Sequence, residues 1–158
     1  MRRNNSEQIV VKRADERQLY SITAMTLHYF PYTGFSYREI LRRLGTKSIF
    51  YYVALYRGHT VGFVDFELRE KSAQILGLAV LEEFRGKGIA SMLLGKAVSE
   101  IKKISKKSGL ELKRIDLLVS EANPPAQALY KKFGFIAHGK LERKLWEQDI
   151  LVYTKYLC

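Results

Sequence analysis

The chain has 158 residues, 47% of them hydrophobic, and carries 27 Lys plus Arg against 16 Asp plus Glu, a formal net charge of +11. That length and apolar content give one domain with its own core and exclude a disordered chain. No apolar run reaches the length of a membrane span and the first residues lack the apolar segment of a signal peptide, so a soluble, cytoplasmic protein without a membrane partner is expected.

Cys158, the single cysteine, excludes an internal disulfide, and the basic balance favours anionic partners: nucleic acid, acidic proteins or an anionic small molecule. Residues 1–7 read as a polar N-terminal tail and 8–158 as the folded domain. Residues 9–13 read as a first strand, and Ala14 or Asp15 opens a helix to about Leu27, with apolar spacing at Leu19, Ile22, Met25 and Thr26. The aromatic stretch 28–37, broken by Pro31 and Gly34, is a connection. Ser36 caps a short helix over 37–44, which Gly45 stops. Residues 49–57 and 60–69 form a hairpin about Gly58-His59.

After a turn at 70–72 comes a strand over 73–80, whose apolar run from Ile75 is that of a strand buried on both faces. A helix runs from Gly88 to about Lys107, with an apolar stripe at Ile89, Met92, Leu93, Ala97, Ile101 and Ile104. A strand over 114–120 follows. Asn123 then caps a helix with Pro124 in its first turn, carrying Ala126, Leu129, Tyr130 and Phe133 on one side and ending at Gly134. Strands over 135–138 and 150–156 complete a mixed α/β sheet. No repeat, linker or metal-ligand cluster is read.

The strand–turn–helix over 75–94 makes an anion site. The first turn of a helix has backbone N–H groups with no partner, the macrodipole adds positive charge, and Gly86 and Gly88 let a ligand approach the backbone. Arg85 and Lys87 add full charges, so a diphosphate fits. The spacing excludes a P-loop, and Ser91 stands where the dinucleotide fingerprint needs its third glycine. The plainer alternative is an ordinary turn with solvated basic residues. What matches is Arg85-Gly86-Lys87-Gly88-Ile89-Ala90, which resembles the R/Q-x-x-G-x-G/A signature of the GCN5-related N-acetyltransferase (GNAT) family.

A second stretch is similar to that family's strand, N-x-x-A-x-x-L-Y and G-F pattern, with Asn123, Ala126, Leu129, Tyr130, Gly134 and Phe135 on matching positions. With the order of elements, the resemblance covers nearly the whole chain. It implies a single-domain α/β fold, a mixed, mostly antiparallel sheet flanked by helices. It also implies an N-acetyltransferase that uses acetyl-CoA as donor, a primary amine attacking the thioester directly. In that reading the Val80 N–H faces the thioester oxygen, the Leu78 and Val80 backbones (with Ala79 between them) pair with the pantetheine arm, and Arg85, Gly86, Lys87, Gly88, Ile89, Ala90 and Ser91 hold the pyrophosphate. Asn123 contacts the pantetheine, and the Tyr130 hydroxyl is the general acid at the sulfur. For Tyr130 the alternative is core packing.

Leu117-Leu118-Val119 stands where the ribosomal-protein N-terminal acetyltransferases, the branch resembled, carry Leu-Glu-Val, so Leu118 takes the place of the glutamate base. Glu67, Asp65 and Glu121, acting through water, are the alternatives; each also reads as a surface or hairpin charge. Leu145-Trp146 replaces that branch's paired tyrosines. In this fold the loop over 28–37 covers the acceptor, so Phe30, Tyr32 and Phe35, with Glu67, are the expected substrate-side residues, the aromatics reading alternatively as core.

The expected acceptor is a protein or peptide N-terminus, with a small-molecule amine as alternative. The chain is expected to act as a monomer or homodimer and to bind neither metal nor nucleic acid. Two other readings stay open: a non-catalytic acetyl-CoA-binding module, and a nucleic-acid-binding protein using the lysines of the long helix, for which no recognition motif is present.

Overall fold

The computed structural model describes residues 8–30, 34–145 and 147–157. The expected tail 1–7, Pro31, Tyr32, Trp146 and Cys158 lie outside the described residues. The chain forms β1 (Val10–Arg13), α1 (Leu19–Tyr29), α2 (Tyr37–Leu44), β2 (Ile49–Tyr56), β3 (His59–Leu68), β4 (Ser72–Val80), α3 (Ile89–Ser108), β5 (Arg114–Ser120), α4 (Pro124–Lys132), β6 (Ile136–Lys140) and β7 (Ile150–Tyr156). The strands make one seven-stranded sheet in the order β1-β2-β3-β4-β5-β7-β6. Every pairing is antiparallel except β4 with β5, between which α3 is the crossover.

Local chemistry sets the element ends. Asp15 accepts from the Arg17 N–H and closes a capping box with Gln18, but the turn it starts, Glu16–Gln18, is 3-10, and the α-helix proper begins at Leu19. Ser36 and Glu39 make a second capping box on α2. The hairpin turn is Arg57–Gly58 rather than Gly58–His59. Both have positive φ, 49° and 77°, the pairing a tight turn between right-twisted strands needs, so His59 is already the first residue of β3. On α3 the stripe is displaced from the expected one: Met92 is exposed, while Leu94 and Val98 are buried beside Ile89, Leu93, Ala97 and Ile101.

Alternate strand residues face two layers. Tyr52, Val64, Phe66, Ile75, Leu117 and Val119 pack under α3 and α4. Tyr51, Val53, Phe63 and Ala79 point the other way, against Ile22 and Met25 of α1. That second layer stops at β4, and no described helix covers the same face of β5, β7 and β6. Among the described residues no helix is long and apolar enough to cross a membrane.

Candidate active site

The site begins with one extra residue. Along β4, Ile75 stands opposite Phe66 and Gly77 opposite Asp65, so Leu76 is a bulge against β3. A bulge bends its strand, and here β4 leaves β5: the two pair only from Ser72–Arg114 to Ile75–Leu117. Beyond that point β4 continues on β3 to Val80, while β5 continues on β7 to Ser120. The expectation of a strand covered on both sides therefore fails at Leu76, Gly77 and Leu78, which are half-exposed at the opening.

The Leu81 N–H donates to the Val61 carbonyl at 2.9 Å. By the alternation of an antiparallel ladder, the N–H and carbonyl of Val80 and Leu78 face the opening. The Val80 carbonyl accepts from Arg85 Nε there at 3.1 Å. Gly62, opposite Val80, makes the close packing behind it: a Cβ would stand 2.9 Å from the Ala79 carbonyl and 3.0 Å from Leu93 Cδ1.

At the mouth of the opening the chain turns through Glu82–Phe84 into α3. Gly86 and Gly88 take positive φ, 77° and 80°, a conformation that favours glycine, and no atom lies within 4 Å of a Cβ built on either. Gly88 is the N-cap of α3 and has no side chain to satisfy it. The N–H groups of Ile89, Ala90 and Ser91 thus head a 20-residue helix without acceptors inside it. A run of free backbone donors beside two open glycines can hold an anion. The Arg85 guanidinium is turned to the Val80 carbonyl and lies 5.2 Å over the Tyr29 ring, while Lys87 lies over Phe84.

Tyr130 is buried, 6.0 Å from the Phe135 ring and 6.4 Å from that of Tyr153, on the α3 side of the sheet with Leu117 and Val119. Asn123 caps α4, its Oδ1 accepting from the Ala126 N–H at 3.3 Å, so this oxygen already serves the helix.

On the other face, one row crosses three strands: Tyr51 of β2 opposite Asp65 of β3, opposite Gly77 of β4. Asp65 is 5% exposed. Arg43 Nη2 of α2 lies 3.9 Å from its carboxylate, and the Tyr51 hydroxyl and the Gly77 backbone beside it also favour the charged form. Burial raises its pKa to about 7 against the pull of those donors, and burial followed by the Asp65 charge raises that of Tyr51. A cavity of about 30 Å³ lies beside Asp65, walled by Phe30, Leu76 and Gly77 among others. Of the expected substrate-side aromatics, Phe30 lines this cavity and Phe35 stacks on Arg43.

The other carboxylates sort themselves by neighbours. Glu67 is half-buried opposite Gln74, and Glu121 is exposed and bridges to Lys140 at 3.6 Å. Leu118 is 42% exposed on the uncovered face. There it helps wall an open hollow of about 520 Å³ with Gln74, Asp116, His138 and Thr154.

Residues 16–135 match the family model described as Acetyltransferase (GNAT) family. The chain is 30% identical to an N-alpha-acetyltransferase of Saccharolobus solfataricus over 134 residues, 77% of this chain and 74% of that one. It is 35% identical over 77 residues to a candidate [ribosomal protein bS18]-alanine N-acetyltransferase of Bacillus subtilis; the match takes in 49% of this chain and spans about half of that relative's length, 47%. The structure of Arabidopsis thaliana NAA60 in complex with a bisubstrate analogue superposes with a TM-score of 0.79 over 96% of this chain and 100% of that one. At 20% identity, that likeness is one of fold.

Proposed function

The chain belongs to the acetyltransferase (GNAT) family, and on that premise we propose that it moves the acetyl group of acetyl-CoA to the α-amine of a protein or peptide N-terminus. The observation that carries the reading is the parting of β4 from β5 at Leu76, with the glycine turn and the uncapped end of α3 at its mouth. A pantetheine arm is an amide chain, and the outward backbone groups of Leu78 and Val80 bind one as they would bind a strand. The N–H groups of Ile89, Ala90 and Ser91, with Lys87, take the diphosphate. The Val80 N–H donates to the thioester oxygen as charge develops on it. Tyr130 gives its proton to the departing sulfur.

Two features support a peptide acceptor over a small amine. One sequence relative is named an N-alpha-acetyltransferase and the other for N-acetylation of an alanine of a ribosomal protein. The uncovered face beside the opening has a hollow of about 520 Å³, room for the residues that follow an N-terminus. The cytoplasm, where acetyl-CoA and new N-termini meet, is the proposed site of action.

The test follows CoA thiol release from acetyl-CoA with N-terminal peptides, lysine peptides, polyamines and amino-sugars. Turnover on N-terminal peptides is expected. Tyr130→Phe is expected to lower kcat by about 100-fold while acetyl-CoA affinity, measured by calorimetry, stays within a factor of about two. Tight acetyl-CoA binding without turnover on any acceptor would make the chain a binding module instead.

A further inference from the structure

Asp65 has features that a packing role leaves unexplained. A carboxylate buried in a sheet is costly, and this one has a small cavity beside it. Gly77 is the cause. It is the next residue in the row Tyr51–Asp65–Gly77, and it lies just past the last β4–β5 pair, at the edge of the opening. Any Cβ there would stand 3.0 Å from Asp65 Oδ1 and 3.4 Å from the Phe30 ring. Without one, the carboxylate lies against bare backbone two residues beyond the last β4–β5 pair. The cavity of about 30 Å³ is large enough for a bridging water, which needs some 10–15 Å³ and two or more polar partners. The row lies on the face of α1 and α2, opposite the layer of α3 and α4.

We infer that Asp65 is the proton acceptor for the acceptor's ammonium group, reached through a water beside Gly77, and that it does from β3 the work for which β5 offers only Leu118. The inference rests on the proposed function. The ammonium passes one proton through the water to Asp65. The neutral nitrogen attacks the thioester carbon, the C–N bond forms, and the C–S bond breaks with its electron pair on sulfur, which takes the Tyr130 proton. The second proton lost by the nitrogen restores Tyr130, and Asp65 returns its own to solvent. One proton is released overall for each acetyl group moved.

Among the described residues, the charged and titratable groups facing Asp65 are Arg43 from α2 and Tyr51 from β2; α1 and its C-cap present Thr26 and Phe30, and β4 presents Leu76 and Gly77. Burial holds the carboxyl near neutrality in spite of Arg43, so it can gain and lose a proton in the working pH range. Removing the Tyr51 hydroxyl removes a donor to the charged form, and the carboxyl must titrate higher.

The test measures kcat against pH for the best peptide of the acceptor panel with wild type, Asp65→Asn and Tyr51→Phe, and acetyl-CoA affinity by calorimetry for each. Asp65→Asn is expected to lose about 100-fold in kcat, with unchanged acetyl-CoA affinity. The wild-type profile is expected to rise through a limb near pH 7, and Tyr51→Phe to move that limb upward by half a unit or more. A limb set by the peptide's own amine would not move. Activity of Asp65→Asn within about threefold of wild type, or an unmoved limb in Tyr51→Phe, would overturn the inference and leave the proposed function standing. A wild type that acetylates no amine would overturn both. Should Asp65→Asn fail to fold, the Tyr51→Phe limb decides alone.

Discussion

Burial raises the Asp65 carboxyl from its ordinary 3.8 to about 7, so the folded protein holds a proton there that the unfolded chain has released. Between about pH 4 and 7 the folded state then binds more protons than the unfolded one, and stability falls as pH rises through that window. The contribution is complete below the unfolded value and lost above the folded one, with an upper bound of about 4 kcal/mol. Asp15 acts in the opposite sense, because the Arg17 N–H and Lys12 hold it below its usual range; what it adds is lost in more acid solution. Thermal unfolding should therefore show a higher Tm near pH 5 than near pH 8, and Asp65→Asn should flatten that slope. Three carboxylates compete in the sequence for the inferred role of proton acceptor, and of these Asp65 is the one buried between Tyr51, Gly77 and Arg43. Those neighbours come from β2, β4 and α2, a meeting set by strand register. Register is not written in the local pattern: Asp65 sits in an apolar, aromatic run like any other strand polar residue.

At the scale of single elements the sequence was far more legible, because the signals are local. Ser36, Gly45, Gly88, Gly109 and Asn123 stand at helix ends where their chemistry puts them. The turn before β3 was misplaced by one residue because Arg57, not a residue type that advertises positive φ, takes the first turn position. Asn123 carries two readings at once, helix cap and pantetheine contact. Asn123→Ala loses the bond to the Ala126 N–H and is expected to cost about 1 kcal/mol, seen as a lower Tm. Asn123→Asp keeps the capping oxygen and should hold the Tm. If Asn123→Asp also keeps wild-type acetyl-CoA affinity in calorimetry, its amide group is not used by the donor.

For the whole molecule, the order of elements and the two motifs pointed to the fold, since periodicity 2 and 3.6 and paired glycines survive in one dimension. The division of the sheet did not show. The run Ile75–Val80 is as apolar as a fully covered strand, and nothing in its composition marks Leu76 as the extra residue. The same blindness hid the uncovered face of β5, β7 and β6, where Leu118, Ile136 and Tyr156 remain exposed. Their exposure is a property of the layer that ends at β4 and not of their own segments.

A sheet that divides in its middle has two more edges than one that does not. Each is a row of backbone donors and acceptors open to any extended chain, which is how edge strands promote aggregation. The Arg85 guanidinium on the Val80 carbonyl blocks part of one edge with a charge, as lysines do on outer strands. In the proposed function the donor's amide arm would block the rest, and the bound ligand would act as a removable strand. Acetyl-CoA at about 100 times its Kd should add about 2.7 kcal/mol to stability, a rise in Tm of roughly 5–10 °C for a chain of this size. Light scattering on heating should show the unliganded protein associating first. A cell short of the donor would then hold this chain in its stickier form, tying its solubility to the supply of its own substrate.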